Sequence, residues 1–176
     1  MPTPFEPGID ARKLVPYITN HSPEEMMLDS RKWPCDFTEI LTIADVLMHL
    51  SENMPIARKY AVELYAEGLR RLEEHKDQTA SDTNVAGSYV RLGSLLSSEG
   101  RVEEAIGVYK RGLVETSNPA LRAFLAVALF AIGRFNESLH HIQEVFQLPS
   151  GLLTDTIPPN VLQGLKEYRS RMLGRI

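Results

Sequence analysis

The residues with the clearest capacity for chemistry in this 176-residue chain are five histidines, one cysteine and three Glu-Glu pairs. An imidazole can ligate a metal or carry a proton, and a thiolate can act as a nucleophile. Their spacing argues against both uses. His140 and His141 are adjacent, so on a helix they point about 100° apart and cannot face one metal together. His21, His49 and His75 stand alone, and no His-Glu-x-x-His motif occurs. Cys35 follows Trp33-Pro34 with no histidine at motif spacing, so it reads as a structural thiol. A single cysteine also excludes an internal disulfide framework and a multi-cysteine zinc site. The glycines between Gly87 and Gly100 lack the Lys-Ser/Thr of a phosphate loop. Glu24-Glu25, Glu73-Glu74 and Glu103-Glu104 read as solvated helix faces. No catalytic residue, metal or cofactor is therefore expected, and a non-enzymatic role is. The cluster Trp33-Pro34-Cys35-Asp36-Phe37 is a local oddity: Trp33 is either a packing anchor at a helix break or a partner contact.

Charge and hydropathy narrow the class further. Lys plus Arg is 19 against 23 Asp plus Glu, a net charge of −4, which disfavours duplex nucleic acid as a partner. Lys166, Arg169, Arg171 and Arg175 are locally basic, which suits a helix C-terminus or an acidic partner. The longest apolar piece, Leu121 to Ile132, falls short of the ~18 residues of a membrane span. The N-terminus lacks the layout of a signal peptide. These features predict a cytoplasmic protein with no membrane span and, at 43% hydrophobic residues, a sizeable core.

Breakers and periodicity predict helices throughout. Pro2, Pro4 and Pro7 make the first residues a tail, and residues 1–35 read as tail plus short helical arm. Ser22-Pro23-Glu24-Glu25 and Asp36-Phe37-Thr38-Glu39 are capping boxes. Ile40, Ile43, Ala44, Leu47 and Leu50 form one stripe on a helix over 36–52, and a longer helix spans 56–75. Lys76 to Asn84 reads as a loop. Helices then follow over 85–98, 102–115, 119–132 and 135–147, with Gly100, Asn118-Pro119 and Gly133 as punctuation. Pro149 to Pro159 reads as a loop. The last helix, 160–173, carries Val161, Leu162, Leu165, Tyr168 and Met172 on one face. The fold class is all-α.

The helices repeat. Gly100-Arg101-Val102-Glu103-Glu104-Ala105-Ile106 aligns with Gly133-Arg134-Phe135-Asn136-Glu137-Ser138-Leu139 at an offset of 133 − 100 = 33. Ala61, Tyr65, Gly68 and Leu69 align with Ala105, Tyr109, Gly112 and Leu113 at 105 − 61 = 44. On these residues the chain resembles the tetratricopeptide repeat, a helix–turn–helix unit of about 34 residues. Tyr89, Leu92, Gly93, Leu96, Gly100, Ala105, Tyr109 and Gly112 fall on its signature positions in order. The following unit keeps Leu125, Ala126, Leu129, Gly133 and Ser138, with Arg122 where the signature has an aromatic. The resemblance implies an α-α superhelix of three helical pairs over 36–150, and a loop with a capping helix over 151–176.

The resemblance also implies a concave groove for a peptide or a partner's helix. Its lining would be Val90, Ser94 and Ser97 of the middle unit and Ala123, Val127, Phe130 and Ala131 of the third. Val46 and His49 would extend it from the first, with Arg91 as a nearby cation. Members that grip a carboxylate use Lys, Arg and Asn where this chain has Val90, Ser94, Ala123 and Val127, so an apolar or amphipathic protein segment is the expected ligand. Val127 and Phe130 could instead pack against the chain's own N-terminal arm. The expected role is an adaptor, scaffold or small chaperone. The alternative is an assembly subunit or homodimer. In layout the chain is also similar to chaperones of bacterial type III secretion translocators.

Overall fold

The computed structural model describes residues 19–22, 25, 37–52, 54–74 and 82–174. Among them the chain is all-α, with no strand. The expected N-terminal tail, Trp33, Cys35 and the Asp36 end of the second capping box lie outside the described residues. The first capping box is formed: the Ser22 N–H donates to Glu25 Oε2 at 2.7 Å, and the Glu25 N–H to Ser22 Oγ at 3.1 Å. The chain divides into two compact units, residues 1–80 and 81–176.

In the first unit, α1 (Phe37–Leu50) packs on α2 (Pro55–Glu74). The predicted stripe Ile40, Ile43, Ala44 and Leu47 is buried, as are Tyr60, Ala61, Leu64, Tyr65 and Leu69 of α2. The two helices close tightly at Gly68, where a Cβ would lie 2.8 Å from Leu41 Cδ2. The Tyr65 hydroxyl donates across the pair to Asp45 Oδ1. Glu67 is buried on α2 and accepts from Arg70 Nε at 2.8 Å and Arg71 Nε at 2.9 Å. The hydrogen bond from Arg70 outweighs burial and, with Arg71, holds the Glu67 carboxyl below its usual range.

The second unit holds α3 (Asp82–Ser98), α4 (Val102–Thr116), α5 (Pro119–Ala131), α6 (Phe135–Phe146), α7 (Ser150–Thr156) and α8 (Pro159–Leu173). Adjacent helices pack as hairpins, α3 with α4 and α5 with α6, and α5 also lies on both α3 and α4. Two boundaries differ from the sequence expectation. The helix expected from Val85 begins at Asp82, inside the expected loop. The expected loop 149–159 contains α7, because Leu153 and Ile157, four residues apart, are both buried and give this short segment an apolar stripe.

The 33-residue offset holds in atomic detail. Gly100 and Gly133 have φ of +79° and +78°, the left-handed region that glycine occupies without a Cβ clash. The Gly100 N–H donates to Ser97 O at 3.1 Å and the Arg101 N–H to Leu96 O at 2.9 Å. At the second turn the bonds run from Gly133 to Phe130 O at 3.1 Å and from Arg134 to Leu129 O at 2.9 Å. Arg101 then forks onto Glu104 at 2.7 and 2.8 Å, and Arg134 onto Glu137 at 2.6 and 2.6 Å. Asn118 caps α5 by accepting from the Ala120 N–H at 2.9 Å, with Pro119 in the first turn.

Inside each hairpin, size is exchanged between facing positions. In α3–α4, Gly93 makes room for the Tyr109 ring: a Cβ there would run into it. In α5–α6 the matching residues are Ala126 and Ile142, a small and a larger residue that are both fully buried in one cluster. Gly112 is the second close approach, where a Cβ would lie 2.7 Å from Tyr89 Cγ and 2.9 Å from Leu121 Cδ1. Ser138 replaces Ala105 and is fully buried, its hydroxyl donating to Ala126 O at 2.7 Å.

Gly93→Ala is expected to destabilise the fold by about 1–3 kcal/mol through overpacking against Tyr109. Gly107 is an exposed glycine of α4 with nothing within 4 Å of a built Cβ. Gly107→Ala should therefore stabilise by about 0.5–1 kcal/mol. Urea denaturation of both variants checks the contrast.

Candidate binding surface

The residues expected to line a groove do different things in the structure. On α3, Val90, Ser94 and Ser97 are half-buried. The Ser94 hydroxyl lies 3.4 Å from the Tyr109 hydroxyl. Burial pushes the Tyr109 phenol up, so it stays protonated beside that partner. Arg91 is half-buried, with its guanidinium close to Gly87. On α1, Val46 is half-buried and His49 is exposed in the last turn.

On α5 the expectation needs correction. Ala123 is fully buried and offers no surface. It belongs to a cluster with Ala126, Ile142, Val145, Leu153, Ile157 and Leu165, and Val127 packs against that cluster. Phe130 lies flat on Tyr168 of α8, ring centroids 3.9 Å apart and 4° from parallel. It also meets Phe135 edge-on at 5.2 Å and 62°. The occupant of this face is the chain's own C-terminal helix, because α8 needs cover for Val161, Leu162, Leu165, Tyr168 and Met172. The stripe and a capping helix were expected, but Val127 and Phe130 were expected in an open groove. Packing of the N-terminal arm on this face lies outside the described residues.

Two of the expected residues do meet at an opening. Phe130 and Ala131 line a pocket of about 500 Å³ with Gly133, Phe135, Asn136, Leu139, Arg171 and Met172. The turn between α5 and α6 forms one side and the last turns of α8 the other. Its walls are mostly apolar, and Asn136 and Arg171 supply polar groups. Phe135 is 42% exposed, large for a phenylalanine at the first position of a helix. Sequence reasoning missed Phe135, Asn136, Leu139 and Met172 because the pocket depends on where α8 crosses. An apolar Phe135 at the start of a helix was the available signal.

The adjacent histidines lie beside an ion pair. Arg122 stands where Tyr89 stands 33 residues earlier and pairs with Glu144 of α6. His141 Nδ1 lies 3.3 Å and His140 Nε2 3.7 Å from the same carboxylate. Burial lowers the His141 pKa against the pull of Glu144. Burial raises the Glu144 carboxyl, but the hydrogen bond and charge of Arg122, with the two imidazoles, hold it below its usual range. An ion pair between α5 and α6 thus stands where the preceding hairpin has the buried Tyr89. Among the described residues no three His, Cys, Asp or Glu side chains group as metal ligands, and no helix is long and apolar enough to cross a membrane.

No protein-family model, curated protein or solved structure matches this chain. The fold and the pocket define its class on their own: an all-α protein of packed helical hairpins, with an apolar opening beside its last helix.

Two outcomes follow from these contacts. Phe130→Ala removes the Tyr168 stack and should cost about 2–3 kcal/mol, with hydrogen exchange accelerated over 159–173. For Arg122 and Glu144, a double-mutant cycle should give a coupling of about 0.5–1 kcal/mol at pH 7. Because the Glu144 pKa is lower folded than unfolded, its contribution is present above pH 4.5 and is lost as pH falls through the lowered value. The coupling should therefore weaken as pH falls below 4.5 and be lost once the carboxylate is protonated.

Proposed function

We propose that the chain is a non-enzymatic protein-interaction module of the tetratricopeptide type, an adaptor or small chaperone that holds an apolar or amphipathic segment of a partner. The observation that carries this reading is the apolar pocket lined by Phe130, Phe135, Leu139 and Met172. A concave apolar site with a few polar groups is the usual form of a specific binding site. The 33-residue repetition of the hairpin turns supports the repeat class, since stacked hairpins commonly serve as binding scaffolds. Of the groove residues expected from sequence on α1, α3 and α5, Phe130 and Ala131 line this pocket and support placing the binding site there. His140 and His141 flank the Arg122–Glu144 ion pair, 3.7 and 3.3 Å from its carboxylate, a placement that supports a packing role for them.

Selection of a random peptide library on the full chain tests this reading. Ala131 is exposed and lines the pocket, so Ala131→Gln narrows it without touching the core. Selected peptides are expected to be rich in large apolar residues and to bind the Ala131→Gln protein at least about tenfold more weakly, the ~1.4 kcal/mol worth of one well-buried apolar group. Equal binding to both proteins would defeat the assignment. A circular-dichroism melt of Ala131→Gln confirms that the fold is intact.

A further inference from the structure

We infer that the pocket beside α8 selects an acidic apolar anchor: a partner segment with a large apolar side chain and a carboxylate close to it in sequence. This rests on the binding-module reading above and names the partner's chemistry. The apolar part follows from the walls, where Phe130, Phe135, Leu139 and Met172 surround about 500 Å³.

The carboxylate follows from Arg171. It lines the pocket, is exposed, and makes no ion pair or hydrogen bond among the described residues. Nearby cations are engaged. Arg134 forks onto Glu137 at 2.6 Å and reaches Glu103 at 3.7 Å, and Arg169 sits over the Phe146 ring at 5.4 Å. Among the described residues the Arg171 guanidinium therefore keeps its donors uncommitted, beside an apolar wall. Its planar fork matches a carboxylate in two parallel hydrogen bonds. A basic segment would be repelled at the same place, so the charge sets specificity more than affinity.

A peptide fits this surface better than a free amphiphilic acid. Phe135 lines the pocket and still leaves 42% of its surface exposed. A chain continuing beyond its anchor covers that ring, and a small acid does not.

Fluorescence anisotropy with defined probes tests the inference on the full chain. The probes are fluorescein-labelled Ser-Ala-Leu-Phe-Glu-Leu-Ala-Ser and the same peptide with Gln for Glu. The Glu probe is expected to bind about three- to fivefold more tightly at low salt, the range of an exposed ion pair. That preference should shrink at ~1 M salt and disappear in Arg171→Gln. Arg171→Lys should restore part of it, since charge returns without the fork. Equal affinity for both probes, still weakened by Ala131→Gln, would overturn the acidic preference and leave the binding-module reading standing. Binding unaffected by Ala131→Gln, or no binding of either probe, would overturn the inference; loss of the module reading as well would show as a library with no pocket-dependent peptides. Displacement by 3-phenylpropionate at the same concentration as an unlabelled peptide would overturn the choice of a peptide as occupant.

Discussion

The fold depends on how closely two helices of a hairpin approach. At Gly93 and Gly112 the backbone of one helix comes so near a tyrosine ring of the other that no Cβ fits. Tyr109 and Tyr89 are fully buried in the space so created. Close approach lets a ring make dispersion contacts on nearly every side, and many small contacts sum to a large stabilisation. The cost is intolerance: the interior is packed as tightly as an organic crystal, so a methyl group is already too much. Gly68 shows the same constraint against Leu41 in the first unit.

Repetition modifies this constraint without removing it. In the α5–α6 hairpin, Ala126 and Ile142 stand where Gly93 and Tyr109 stand one unit earlier, a volume-conserving exchange of the kind cores accept. Arg122, at the position of Tyr89 one unit earlier, forms an ion pair with Glu144 that two histidines flank. A charged pair there suits a half-buried site, where water still reaches both groups. The turns, by contrast, hardly vary. Gly100 and Gly133 share their φ, their hydrogen bonds and the Arg–Glu fork that follows.

Much of this was legible before any coordinates. Helices, caps and turn glycines obey local rules, so Asn118-Pro119, Gly100 and Gly133 could be read from residue type and position alone. Repeat register was legible because Ala61, Tyr65 and Gly68 recur as Ala105, Tyr109 and Gly112. Helix α7 was not, since proline, glycine and threonine dominate its neighbourhood and only tertiary burial of Leu153 and Ile157 holds it. The site was half legible. Phe130 and Ala131, named through their repeat positions, line the pocket, whereas Ala123 is buried and Val127 packs against the core cluster. Periodicity says that a face is apolar and leaves open which element covers it. Here α8 covers it, and a sequence offers no direct signal for a crossing between elements more than thirty residues apart.

Helix α8 also sets an order of events during synthesis. Each hairpin of the second unit is made of neighbours in sequence, and such local contacts form early and fast. Ala123, Ala126 and Val127 are different, because the cluster they belong to is completed by Leu165 and its neighbours on α8. As the chain grows from its N-terminus, the α5–α6 hairpin emerges with that apolar face bare and waits for the following segment to seal it. The interval between those two moments is when this protein is most exposed to aggregation, and when a chaperone would find it.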